Sequence, residues 1–271
     1  MMEVIIMSKN LPNNWPRNYP VNLNEKSFLE ICKEFLDVIE EREAENFKKA
    51  GEIMGKKIME DGLIRLFGTG GHTYLPVLDM SHRAGGFACL NPALDISSSP
   101  MNGGTRSIRV ERVPGYMEAI VDYFRVSEGD VCIVFNNIGV NSGAIDTCLA
   151  CKERGATVIA VSSSVWQEDI PMDHHTRHPS KKNMRDIVDL MIEDYNPIGD
   201  TVGTIPGFDR SFMPISTMTD GYIVRRMEEE AIRYCVERGF TPPVWCSANT
   251  VRGDELNEAL EEKYWHRCKM L

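Results

Sequence analysis

Five short apolar runs, residues 63–67, 88–90, 131–135, 157–161 and 187–192, each close on a polar or glycine-rich turn and give way to apolar residues at helical spacing. A strand that reads as a continuous apolar run is covered on both faces, and strands separated by helices pair in parallel. This rhythm predicts an α/β domain with a doubly wound parallel sheet and helices on both faces.

The helices follow from the same periodicity. Residues 25–61 place Phe28, Ile31, Phe35, Val38, Ile39, Phe47, Ile53, Met54 and Ile58 among acids and lysines, which is the spacing of one or two long helices bent near Gly51 and Gly55. Further helices are predicted over 73–84, 114–124, 142–154 (capped by Asn141 or Ser142 and stopped by Gly155), 217–238 (stopped by Gly239) and 253–267. Pro242 and Pro243 break the chain before the last helix, which docks on the domain or on a second subunit. Residues 8–24 are rich in Asn and Pro and lack any period. The chain thus divides into an irregular arm, 1–24, and a single domain, 25–271.

With 30 Lys and Arg against 40 Asp and Glu, the net charge is −10. A field of that sign repels nucleic acid and anionic membranes but leaves room for a small anion held by local N–H groups. The eight cysteines are scattered through apolar segments, and the apolar stretch 4–7 is too short for a leader or a membrane span. A reducing cytoplasm is the expected compartment. Cys148 and Cys151 have redox-motif spacing but lie inside a helix, away from the N-terminus where a thiolate gains stability, which favours packing.

In an open parallel sheet the ligand site lies beyond the carboxyl ends of the strands, so the turns there carry the chemistry. The first is Gly68-Thr69-Gly70-Gly71-His72-Thr73, whose glycines let the backbone approach a ligand at a helix N-terminus. It is no dinucleotide fingerprint, because Thr73 stands where the third glycine belongs, and there is no phosphate-binding loop of the Gly-x-x-x-x-Gly-Lys type. The second turn is Asn136-Asn137-Ile138-Gly139-Val140-Asn141-Ser142-Gly143 and the third is Ser162-Ser163-Ser164. Together they describe a cup of backbone donors, hydroxyls and amides at one sheet edge.

The order of these motifs resembles the sugar isomerase (SIS) domain, in a branch similar to phosphoheptose isomerases. The resemblance spans about residues 25–267. It is carried by Phe67-Gly68-Thr69-Gly70, Arg83-Ala84-Gly85-Gly86, Glu111-Arg112-x-x-Gly115-Tyr116, the Gly139 turn, Arg177-His178-x-Ser180, Ser216-Thr217, Pro242-Pro243-Val244 and Ser247-Ala248-Asn249. It implies a five-stranded, flavodoxin-like sheet, a homodimer or dimer of dimers, and a shared site for an anionic sugar, with no cofactor. The substrate contacts expected are Thr69, Gly70, Gly71, His72, Asn136, Asn137, Gly139, Asn141, Ser162, Ser163, Ser164, Arg177 and Thr217. Two departures stand out: His72 occupies the first turn's usual serine position, and Asn136, Ile138 and Asn141 replace the hydroxyls of the second. Losing hydroxyls points toward a singly charged or smaller head group, such as a sulfonate or carboxylate, in place of a phosphate monoester.

Aldose–ketose isomerisation needs a base to move a proton between adjacent carbons and, for a cyclic sugar, an acid to open the ring. Glu111, in the segment 108–115 after a Gly- and Arg-rich loop, is the expected base; an ion pair with Arg109 or Arg112 is the competing role. His178 is the expected acid. It belongs to Asp173-His174-His175-Thr176-Arg177-His178, for which three readings stay open: an acid or substrate contact, a Zn²⁺ site at His174 and His178, or a solvated loop bracketed by Pro171 and Pro179. His72, near a helix N-terminus, would be held neutral as an electrophile or donor, or serve in capping. Two other function classes compete with the isomerase: a non-catalytic sugar-phosphate sensor, against which the lack of a basic helix-turn-helix counts, and an ether-cleaving lyase on an amino-sugar acid.

Overall fold

A computed structural model of the chain describes residues 11–271. Its centre is a five-stranded, all-parallel sheet of β2 (Ile64–Gly68), β3 (Leu90–Ala93), β4 (Val131–Phe135), β5 (Thr157–Ser162) and β6 (Leu190–Glu193), in the order β3-β2-β4-β5-β6. Ile64 lies opposite both Leu90 and Val131, and Ile133 opposite Ile159, so the apolar runs are in step across the sheet. The two-residue alternation of a strand then sorts side chains into two cores. Leu66, Ile133 and Ile159 face α1 (Phe28–Met59), α2 (Tyr74–Met80) and α7 (Ser216–Val236), whereas Phe67, Cys132, Val134, Val158 and Ala160 face α4 (Tyr116–Tyr123) and α5 (Ser142–Glu153). The doubly wound prediction is met, and order reverses between β2 and β4.

The predicted long helix is one unbroken element. Ser27 and Glu30 form a reciprocal cap at its start, with Ser27 N–H donating to Glu30 Oε2 at 2.8 Å. Gly51 and Gly55 do not interrupt α1, and they let α7 lie against it. A Cβ on Gly51 would stand 2.5 Å from Glu230 Cβ, and one on Gly55 2.5 Å from Tyr234 Cδ1.

The remaining boundaries shift by a few residues. β3 runs later than the 88–90 expected and carries Pro92, which the sheet accepts because β3 is an edge. α2 stops at Met80, short of 84, and α7 and α8 (Gly253–Tyr264) end within three residues of prediction. The last helix docks on its own domain, through Tyr264 and, just beyond it, Cys268 in the first core. Cys148 and Cys151 are free, buried thiols against the sheet, and burial pushes the Cys148 thiol far up, as the packing reading requires.

Three features lie outside the sequence reading. A short helix, α3 (Gly104–Val110), occupies what reads as a Gly- and Arg-rich loop, and α6 (Ser164–Asp169) follows the serine turn. A small sheet joins β1 (Val21–Asn22) in parallel to β7 (Thr201–Thr204), which pairs antiparallel with β8 (Phe212–Pro214). The arm is therefore anchored to its own domain from residue 11 on: Trp15 Nε1 and Tyr19 OH both donate to Glu34 of α1, at 2.9 and 2.7 Å. The beginning of the predicted arm, and the apolar stretch 4–7, lie outside the described residues. No helix among the described residues is long and apolar enough to cross a membrane.

Because α1 and α7 touch at glycine, Gly51→Ala should lower stability by about 1–3 kcal/mol through overpacking. Urea unfolding of the two proteins, compared at one pH, measures it.

Candidate functional site

At the β2/β4 reversal the two following turns diverge and leave a cavity of about 370 Å³. Its walls are the 70–73 turn, the 136–138 turn with Asn141, and α3 with Glu111 and Arg112 behind it. Two hydrogen bonds draw α3 into the gap. Gly71 N–H donates to Ser107 Oγ at 3.0 Å, and Gly143 N–H, in the first turn of α5, donates to the Glu111 carbonyl at 2.7 Å. Glu111 is thereby fixed to both turns through its neighbours and its own backbone. Gly70, at φ +140°, leaves room for it: a Cβ there would run into the Glu111 carboxyl.

The Glu111 side chain faces the cavity at 9% exposure, and among the described residues its carboxyl has neither a hydrogen-bond nor an ion-pair partner. The ion pair with Arg109 or Arg112 does not form. Burial raises its pKa from 4.5 to about 7, with Arg112 opposing weakly from a distance. A carboxyl in this state is poised to take and return a proton near neutrality.

The asparagines behave differently from the anion-gripping amides expected of them. Asn136 accepts from Gly139 N–H at 2.7 Å and donates to Thr69 Oγ1 at 2.7 Å, so both ends of its amide hold the turns together. Asn141, which lines the cavity, caps α5 by accepting from Ala144 N–H at 3.0 Å; among the described residues its buried Nδ2 has no partner. Asn137 donates to Asp194 Oδ2 at 2.7 Å and to both Asp220 oxygens at 3.1 and 3.2 Å, and its Oδ1 lies 2.9 Å from His72 Nε2. Burial and their mutual repulsion raise Asp194 well above the carboxylate range, and burial takes Asp220 to about 7. Among the described residues that line the cavity Arg112 is the one arginine, beside Glu111 and with Asp194 and Asp220 behind Asn137.

Of the other expected contacts, Gly70, Gly71 and His72 line the cavity, while Thr69 lies beneath it, donating to Phe135 O at 3.3 Å. Gly139 makes the turn and does not reach the lining. The third turn points elsewhere: Ser162 Oγ accepts from Gln167, Ser163 Oγ donates to Asn196 O at 2.8 Å, and Ser164 Oγ donates to Glu193 at 2.9 Å. Arg177 is a buried staple whose guanidinium reaches Gln167 O, Ile170 O, Pro171 O and Asn183 Oδ1. Thr217 lines a separate groove between α2 and α7, with Leu75 and Asp220. His178 stands behind the cavity, its Nε2 3.0 Å from Asp146 Oδ1 and its Nδ1 2.7 Å from Ser180 Oγ. His174 bonds Thr176 and packs on His175, and among the described residues no group of three His, Cys, Asp or Glu could hold a metal. The reading missed Thr73, Ser107 and Arg112; Arg112 adjoins Glu111 in a quoted motif, whereas Ser107 had no signal because its segment reads as loop.

Comparisons with known proteins agree with this fold. The SIS domain family model matches residues 27–163. The UPF0309 protein of Listeria innocua is 34% identical over 245 residues, covering 90% of this chain and 97% of that protein. That of Geobacillus thermodenitrificans is 30% identical over 244 residues, covering 90% and 96%. The solved structure of a phosphoheptose isomerase from Francisella tularensis superposes with a TM-score of 0.50 at 11% identity, over 79% of this chain and 99% of that one, a likeness of fold.

A carboxyl whose pKa is higher folded than unfolded binds its proton more tightly in the native state, so stability falls as pH rises from about 4.5 to 7. Glu111→Gln, neutral throughout, should be more stable than the parent at pH 8 by roughly 1–3 kcal/mol. The difference should vanish below about pH 4.5, which paired denaturant titrations at the two pH values will show.

Proposed function

Since the chain belongs to the SIS-domain proteins and to the UPF0309 family, we propose that it is a sugar isomerase that interconverts an aldose and a ketose through an enediol. The observation that carries this reading is the buried, unpartnered Glu111 carboxyl facing the cavity. The ionised carboxylate removes the proton from C2 of the open-chain aldose and returns it to C1, while the proton on O2 is transferred to O1 as the carbonyl moves to C2. His72, at the rim of the same cavity, carries that second proton; it takes over the acid role expected of His178, which is engaged with Asp146 behind the wall. One solved fold neighbour is a phosphoheptose isomerase, which supports the reaction class by analogy.

The head group is the finer part of the proposal. Arg112 is the one cationic side chain lining the cavity, against Glu111 in the same wall and Asp194 and Asp220 behind Asn137. A dianion would find one arginine to pair with and would press the neighbouring carboxyls further toward protonation, whereas a single negative charge is matched by Arg112. The substrate is accordingly a sugar bearing a sulfonate or carboxylate.

Incubation with candidate sugars in deuterated water tests the reaction: label should enter at C2, and Glu111→Gln should slow entry a hundredfold or more while His178→Ala leaves it within about threefold. In thermal shift, sugar sulfonates and sugar acids should raise Tm more than phosphate esters at equal concentration. Full exchange by Glu111→Gln would remove the base assignment.

A further inference from the structure

His72 meets acceptors on one side only. Its Nε2 lies 2.9 Å from Asn137 Oδ1 and 3.9 Å from Asp200 Oδ2, and among the described residues Nδ1 has no protein partner. Which end of the Asn137 amide faces the ring is decided on the far side. Its two N–H bonds run to Asp194 Oδ2 and to the Asp220 carboxylate, both fully or almost fully buried. Were the amide turned over, its oxygen would face the two oxygens of the Asp220 carboxylate, a repulsive contact in a site buried from solvent. Asp200 is equally fixed, accepting from Ser216 N–H at 2.9 Å and Ser216 Oγ at 2.6 Å. Both neighbours of Nε2 are therefore acceptors, and the neutral ring donates to Asn137 Oδ1, with Asp200 near by, only with its proton on Nε2.

We propose that Asp194 and Asp220, acting through Asn137, are positioning residues that lock His72 in the Nε2–H tautomer and so present Nδ1, with its lone pair free, to the sugar. This rests on the reading above that His72 moves the proton between O2 and O1. It adds which nitrogen does so and why a buried acidic pair stands behind an active-site amide. Nδ1 takes the O2 proton as C2 becomes the carbonyl carbon and hands it to O1; Nε2–H stays on Asn137 throughout, and no proton is gained or lost overall. The same two carboxyls account for an amide at position 137: a serine there could not span from the buried pair to the His72 ring.

The test is the nitrogen spectrum of His72 in the ligand-free protein, read by long-range proton–nitrogen correlation at pH 8, with assignment through His72→Gln. The expected result is a protonated shift at Nε2 and a bare one at Nδ1. In the Asp194→Asn/Asp220→Asn double variant either orientation of the Asn137 amide is satisfied, so the two nitrogens should move to averaged shifts, and kcat should fall about tenfold with KM within about twofold. Asn137→Ser, which leaves both carboxyls in place, should give the same averaging and serves if the double variant does not fold. A proton on Nδ1 in the parent protein, or an unchanged single tautomer in the folded variants, overturns the proposal. Because the spectrum needs no substrate, it stands apart from turnover: the expected tautomer together with no label entering at C2 in the parent protein would sink the isomerase reading and leave the lock intact.

Discussion

The site depends on one backbone contact, the hydrogen bond from Gly143 N–H to the Glu111 carbonyl at 2.7 Å. The reversal of strand order between β2 and β4 opens a crevice that two turns alone would leave as a shallow, wet notch. By tying the residue after α3 to the first turn of α5, this bond closes the notch with a helix and carries a carboxyl out of water. Desolvation then raises its pKa to about 7, whereas the same carboxyl on the surface would be a weak base near neutrality.

The second consequence is electrostatic. A cavity walled by Glu111, with Asp194, Asp200 and Asp220 behind it, cannot be described as an anion trap, even though its turns have the glycines and helix N-termini of one. Most of the polar side chains that the turns present are consumed by the fold: Asn136 joins two turns, Asn141 caps α5, and the three serines after β5 bond to Gln167, Asn196 and Glu193. His72 and Arg112 are polar side chains of the lining that the fold leaves in part unused.

Much of the sheet and its crevice was legible because apolar runs and glycine turns report strand direction and burial locally. Glu111 was legible too, as an acid between a glycine-rich segment and a helix. What was not legible depends on contacts distant in sequence. Arg177 and His178 look functional by type, but their partners, the carbonyls at 167–171 and Asp146, are visible only once the loop is folded onto β4 and α5. Gly51 and Gly55 suggested a bend because nothing local announces α7 some 180 residues on. The small sheet of β1, β7 and β8 has strands of two to four residues, too short for a periodic signal.

The central claim is that burial alone holds Glu111 as a base matched to neutral pH. The direct measurement is a carbon-13 titration of its side-chain carboxyl in the folded protein, assigned by comparison with Glu111→Gln. A midpoint near 7 is the result this account predicts, and a midpoint near the ordinary 4.5 would contradict it.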